Sequence, residues 1–190
     1  MPSVPATRPA TEPAADWGDR VGDTSLSVRV PAADPLVTTG FPAHVSVLHP
    51  FVPRASLGPA SRAALAALVA AHPPFTLRLT RFGHFPGVLY LAPDPHPVLD
   101  RLTTALRRAW PDAVPYRGLF GPGGLPPHLT LATHAAPGTD RAVYGPLEAE
   151  YGTALPLHAE VSRLSLTVYT AAGEWREESA LPLGGEGARG

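Results

Sequence analysis

Three observations predict an α+β fold of antiparallel strands with flanking helices and a loose internal repeat. Short segments of alternating apolar and polar residues come in neighbouring pairs with short connections, the pattern of antiparallel strands. Longer amphipathic segments with helical spacing separate those pairs, the mixture expected of an α+β architecture. One short strand pattern also recurs 84 positions later, in the other half of the chain, so the sequence repeats itself loosely.

The elements follow in order. Residues 25–30 (SLSVRV) alternate with period two and stop at Pro31, and 43–48 form a second short strand. The run 59–71 opens on Pro59 and carries Ala64, Leu65, Leu68 and Val69 as an apolar stripe, which predicts a helix. Strands are expected at 75–82 and 88–91, as a hairpin turning near His84–Gly87. Val98, Leu99, Leu102, Leu106 and Trp110 recur at helical spacing and predict a helix over 96–110. A long Pro/Gly-rich loop fills 111–127 before a strand at 128–133. A weaker helix is expected over 139–151, interrupted at Gly145-Pro146. Two long strands, 159–169 and 174–183, close the chain as a hairpin around Ala171-Ala172-Gly173.

With 190 residues the chain suits one domain or a pair of small lobes sharing a core. Pro (25) and Gly (18) make up about 23% of it, just under the level that signals disorder, and they gather between elements. Residues 1–23 read as a flexible arm, 24–183 as the domain and 184–190 as a disordered tail. The absence of cysteine excludes disulfide scaffolds, thiol nucleophiles and thiolate metal sites. No apolar run is long enough to span a membrane, and the N-terminal sequence lacks the apolar core of a secretory signal. A soluble, cytoplasmic monomer is expected. All 15 basic residues are Arg, with no Lys, and the formal net charge is −1. That balance argues against wrapping long DNA or RNA, but leaves room for a pocket in which a few Arg and His meet one phosphate.

Two segments carry the chemistry. Pro42-Ala43-His44-Val45-Ser46-Val47 and Pro127-His128-Leu129-Thr130-Leu131 share the order proline, imidazole, apolar, hydroxyl, apolar. In a strand, His44 and Ser46 fall on one face and Val45 and Val47 on the other; His128 and Thr130 stand likewise against Leu129 and Leu131. Two imidazoles flanking a phosphorus can act as general base and general acid, because both protonation states are accessible near neutral pH. The hydroxyls can donate to the non-bridging oxygens as charge builds on them. A zinc site at His44 and His128 lacks a third ligand at suitable spacing, and neither metal nor cofactor is expected.

The stretches PAHVSVLHPF and PPHLTLAT closely resemble the two signatures of the 2H phosphoesterase superfamily, in particular its 2′-5′ RNA ligase/cyclic phosphodiesterase-like branch. The resemblance runs from about Leu26 to Leu183. It takes in Pro50-Phe51 after the first motif and LSLTVYTAAGEWREESALPL, which looks like the family's closing hairpin. It implies a two-lobed α+β protein of antiparallel sheets with flanking helices and an internal pseudo-two-fold duplication, in which each lobe gives one His-x-Ser/Thr motif to a central cleft, with His44, Ser46, His128 and Thr130 as the catalytic set. Ser46 stands where Thr is commoner, and His49 where the family more often has an aromatic residue. Tyr116 and Arg117, in the loop before the second motif, His49 and His134 beside the motifs, and Tyr169 on a late strand are candidate substrate-binding residues. The implied activity is a metal-independent phosphoesterase acting on 2′,3′-cyclic phosphates or 2′-5′ linkages of a small nucleotide or short RNA end. Two alternatives stay open: a non-catalytic module that binds a nucleotide or RNA end in the same cleft, and a 2H-type enzyme acting on a small phosphoester outside RNA.

Overall fold

The structure is a computed structural model that describes residues 18–121, 123–133 and 140–184. Among the described residues, eight strands form two four-stranded antiparallel sheets. The first has the order β2-β1-β7-β8, built from β1 (Thr24–Arg29), β2 (His44–Leu48), β7 (Arg163–Tyr169) and β8 (Trp175–Pro182). The second has the order β5-β4-β3-β6, from β3 (Phe75–Phe85), β4 (Val88–Pro93), β5 (Leu129–Thr133) and β6 (Leu157–Val161). In each sheet a motif strand, β2 or β5, lies at an edge beside the strand that precedes it in sequence. The duplication inferred from the motifs thus has a topological counterpart.

Helix α1 (Pro59–Ala70) packs on β8, α2 (Pro97–Ala109) on β2, and α3 (Asp140–Tyr151) on β4. Each of α1 and α2 carries Pro at its start, where the missing N–H has no intrahelical partner to lose. His96 caps α2, its ring accepting from the Val98 N–H at 3.3 Å. Alternation along the strands delivers Val28, Val45, Leu77, Leu89, Leu91, Leu129 and Leu131 into one apolar cluster shared by both sheets. Phe51 joins it, edge-on to Trp110 with ring centroids 5.2 Å apart.

Three expectations are corrected. The stretch 159–169 is not one strand: β6 and β7 belong to different sheets, and the chain crosses between lobes at Ser162 with no Gly or Pro to mark the break. Helix α3 is not interrupted at Gly145-Pro146. Pro146 and Ala142, whose carbonyl loses its helical partner to the proline, are both exposed, while Tyr144 is buried in the core. The β3–β4 hairpin extends further than 75–82 and 88–91. Phe85 pairs with Val88 around a two-residue Pro86-Gly87 turn whose Gly87 has φ +73°. The Tyr144 hydroxyl donates to the Gly87 carbonyl at 2.8 Å and ties this hairpin to α3.

Candidate active site

The two motif strands are neighbours across the sheet boundary: β2 and β5, each at the edge of its own sheet, lie against one another. A staple reinforces the approach. The Thr38 N–H and hydroxyl, from the segment leading into β2, both donate to the Leu131 carbonyl of β5, at 2.8 and 3.2 Å. His44, Ser46, His128 and Thr130 are half-buried, whereas Val45, Val47, Leu129 and Leu131 are buried. Period two has sorted each motif as its sequence requires.

Both imidazoles are held in the same way. His44 Nδ1 lies 2.8 Å from the Pro42 carbonyl, and His128 Nδ1 lies 2.8 Å from the Pro126 carbonyl. A carbonyl only accepts, so Nδ1 carries the proton in each ring and Nε2 is left as the accepting nitrogen. The neutral rings are favoured. Burial lowers the pKa of His44 and of His128 from the ordinary imidazole value; the carbonyl contacts oppose this, and each ring stands in electrostatic contact with charges nearby, Arg29 for His44 and His44 for His128.

Around His128 the second sheet supplies an aromatic wall. Phe85 and Tyr90 stack with centroids 4.4 Å apart, and both rings stand edge-on or steeply tilted to His128, at 5.1 and 5.5 Å. In the first sheet the corresponding positions are small hydroxyls: Ser46 pairs with Ser27 and Ser27 with Ser165. The Ser165 hydroxyl donates to Glu177 Oε2 at 2.5 Å.

His49, just beyond β2, gathers a second aromatic group. Its ring lies 5.8 Å from Tyr116 and 5.4 Å from Trp175, and Trp175 in turn lies 5.4 Å from Tyr169. The His49 carbonyl accepts from the Tyr116 N–H at 2.7 Å, which anchors a turn where Tyr116 and Arg117 both adopt left-handed backbone, φ +50° and +52°. Burial pushes the Tyr116 phenol up to about 12. It also lowers the pKa of His49, and the neighbouring His44 adds to the lowering while Asp19 opposes it. Asp19 sits 3.7 Å from His49 Nε2 and accepts from Trp175 Nε1 at 3.1 Å.

The sequence-selected residues fall as follows. His44, Ser46, His128 and Thr130 are brought together on facing edges; His49, Tyr116 and Tyr169 form one aromatic group beside His44. The Arg117 guanidinium is engaged by the buried Asp23 carboxylate and, at 3.2 Å, the Gly18 carbonyl. His134 lies outside the described residues. Phe85, Trp175, Asp19 and Asp23 were not selected. Only pairing across distant parts of the chain brings them here, although the alternation of β3 and β8 is the one local signal that orders their faces. Among the described residues no three His, Asp or Glu side chains gather as metal ligands do.

Solved structures share this fold. TT0787 of Thermus thermophilus superposes with a TM-score of 0.59 at 20% identity, covering 86% of this chain and 99% of that one. Escherichia coli LigT complexed with 3′-AMP gives 0.56 at 18%, covering 86% and 99%. The same protein complexed with ATP gives 0.54 at 17%, covering 87% and 99%. No curated protein matches the sequence. The family model described as the 2′-5′ RNA ligase superfamily matches residues 29–173 of the 190, and with its two His-x-Ser/Thr strands lying against one another the chain belongs to that superfamily of 2H phosphoesterases.

Proposed function

We propose that this protein is a metal-independent phosphoesterase that opens 2′,3′-cyclic phosphates or cleaves 2′-5′ phosphodiester linkages of nucleotides or short RNA ends. One observation carries the reading: two imidazoles on facing edge strands, each pinned through Nδ1 to a proline carbonyl and each followed two residues later by a hydroxyl. One Nε2 takes the proton from the attacking water as its oxygen bonds to phosphorus. The other ring gives a proton to the ribose oxygen as the P–O bond breaks, and solvent then resets both rings. Ser46 and Thr130 donate to the non-bridging oxygens, where charge grows in the transition state. General acid–base help of this kind is worth roughly 10²–10⁴-fold for each group.

A small nucleotide substrate agrees with a net charge of −1 and the absence of Lys. It also agrees with the 3′-AMP and ATP complexes of E. coli LigT, which has the same fold. The test is a screen of wild type, H44A and H128A against 2′,3′-cyclic nucleotides, 2′-5′ dinucleotides and cyclic-phosphate-ended oligoribonucleotides, with EDTA present and products identified by mass. Turnover is expected in wild type only, with both variants folded. Retained activity in either variant overturns the two-histidine reading, and binding without product overturns the enzymatic one.

A further inference from the structure

The motif strands look equivalent, yet their approaches differ by one residue. Pro42-Ala43-His44 has Ala before the imidazole; Pro126-Pro127-His128 has a second Pro. Ala43 is gripped at both ends of its peptide. Its N–H donates to Asp34 Oδ1 at 2.6 Å, and its carbonyl accepts from Arg29 Nη1 at 3.0 Å and from the Val30 N–H at 2.9 Å. Arg29 Nη2 closes the ring on the Asp34 carboxylate, at 3.3 and 3.1 Å. Arg29 is moreover the cross-strand partner of His44 in the β1–β2 ladder. Pro127 has no N–H for a carboxylate to hold, and the rings packed against His128 are the uncharged Phe85 and Tyr90. A permanent cation therefore stands beside one imidazole of the pair.

We propose that Arg29, locked by Asp34 onto the Ala43 peptide, is a positioning residue whose fixed charge makes His44 the proton acceptor and leaves His128 the proton donor. The charged and titratable groups around His44 are Arg29 from β1, Asp34 behind it, His49 beyond the end of β2 and His128 from β5. Burial of the His44 ring acts most strongly against its protonation, the Pro42 carbonyl opposes this, and the Arg29 charge adds to the effect of burial. In the forward reaction His44 Nε2 takes the proton of the attacking water as the new P–O bond forms. His128, protonated on both nitrogens, keeps Nδ1–H on Pro126 and passes the Nε2 proton to the departing ribose oxygen. The assignment rests on the phosphoesterase reading; the effect of Arg29 on His44 does not.

The two are separated by following the ring Cε1–H signals of His44 and His128 by NMR titration in wild type, R29Q, R29K and D34N. In R29Q the His44 midpoint is expected to rise by roughly 0.5–1 pH unit with His128 unmoved. R29K should resemble wild type, and D34N should leave His44 at or below its wild-type midpoint, because Arg29 is then less neutralised. No shift in R29Q, an equal shift of both rings, or the same upward shift in D34N overturns the proposal and makes the clamp a matter of strand geometry. With a substrate in hand, R29Q should move the acid limb of kcat/KM upward, a loss of about 3–10-fold below that limb, and leave the alkaline limb in place. Movement of the alkaline limb alone reverses the two roles. Turnover by H44A defeats the two-histidine reading, binding without turnover in wild type defeats the phosphoesterase reading, and either leaves the titration result standing.

Discussion

The Tyr90 ring lies across Gly83, its partner in the β3–β4 ladder, in space that a Cβ at position 83 would occupy. The Gly83 backbone is not in the left-handed region, so Ala is disfavoured there by the ring alone. The missing side chain lets Tyr90 stack on Phe85 and reach His128. Gly83→Ala is expected to destabilise the protein by about 1–3 kcal/mol, as overpacking does, and to lower kcat/KM by displacing the wall beside His128. The same substitution in a Y90A background should be nearly neutral. Denaturant unfolding of the four members of that cycle checks this, and equal costs in both backgrounds would show that ring and glycine are uncoupled.

Acid should weaken the fold as well as shape its activity. His44, His49 and His128 all have folded-state pKa values below 6.5. Above that value both folded and unfolded chains hold these rings neutral, and no free energy is at stake. As pH falls below it, the unfolded chain binds protons that the buried rings refuse, so stability declines until the folded rings titrate too. Tm should therefore fall between pH 7.5 and pH 5, with a shallower slope in H49Q. The same lowering puts the kcat/KM maximum on the acid side of about 6.5, with activity already falling through neutral pH. A maximum above pH 7.5 would contradict it.

Much of this site is written locally. Period two alone sorts His44 and Ser46 from Val45 and Val47, and helical spacing alone fixes the buried Val98, Leu99, Leu102 and Leu106 of α2. What stays hidden is set by pairing over long distances. The run from Leu157 to Tyr169 holds no Gly or Pro, and only a slip of its alternation at Ser162-Arg163 marks where two different sheets claim its halves, because the strands that pair with Val161 and with Leu164 lie in different lobes. Register shifts within the β1–β2, β3–β4 and β7–β8 ladders move side chains between faces, so which of Tyr90, Arg78 and Arg81 sits near His128 cannot be counted from sequence. Asp19 and Trp175 meet from opposite ends of the chain, and neither carries a local sign of the other.

Arg117 and Asp23 join the 111–127 loop to the segment that leads into β1. Asp23 is only 7% exposed and also accepts from the Arg20 N–H at 2.8 Å, so removing the guanidinium strands a buried carboxylate. Arg117→Ala is expected to destabilise by about 1–3 kcal/mol, and R117A/D23A by less than the two single costs combined. Because the same turn carries Tyr116 onto His49, R117A should also raise KM more than it lowers kcat. Limited proteolysis gives a second readout: cleavage within 111–127 should quicken in R117A and D23A. Unchanged cleavage would mean that other contacts hold the loop.

Ser46 and Thr130 provide the last separation, between hydroxyls that shape a strand and hydroxyls that act on a phosphate. Both are half-buried, and Ser46 faces Ser27 across the ladder, so loss of either hydroxyl leaves the apolar face of its strand untouched. S46A and T130V should therefore change Tm little. If each hydroxyl donates to an oxygen that gains charge in the transition state, kcat should fall by roughly 10²-fold in each. Ser46→Thr keeps the donor and should stay within a few-fold of wild type. The double variant S46A/T130V should lose less than the product of the single losses, since both donors serve one phosphate. Single variants that keep near-wild-type kcat would return both side chains to a role in strand packing, with the two imidazoles left to carry the reaction.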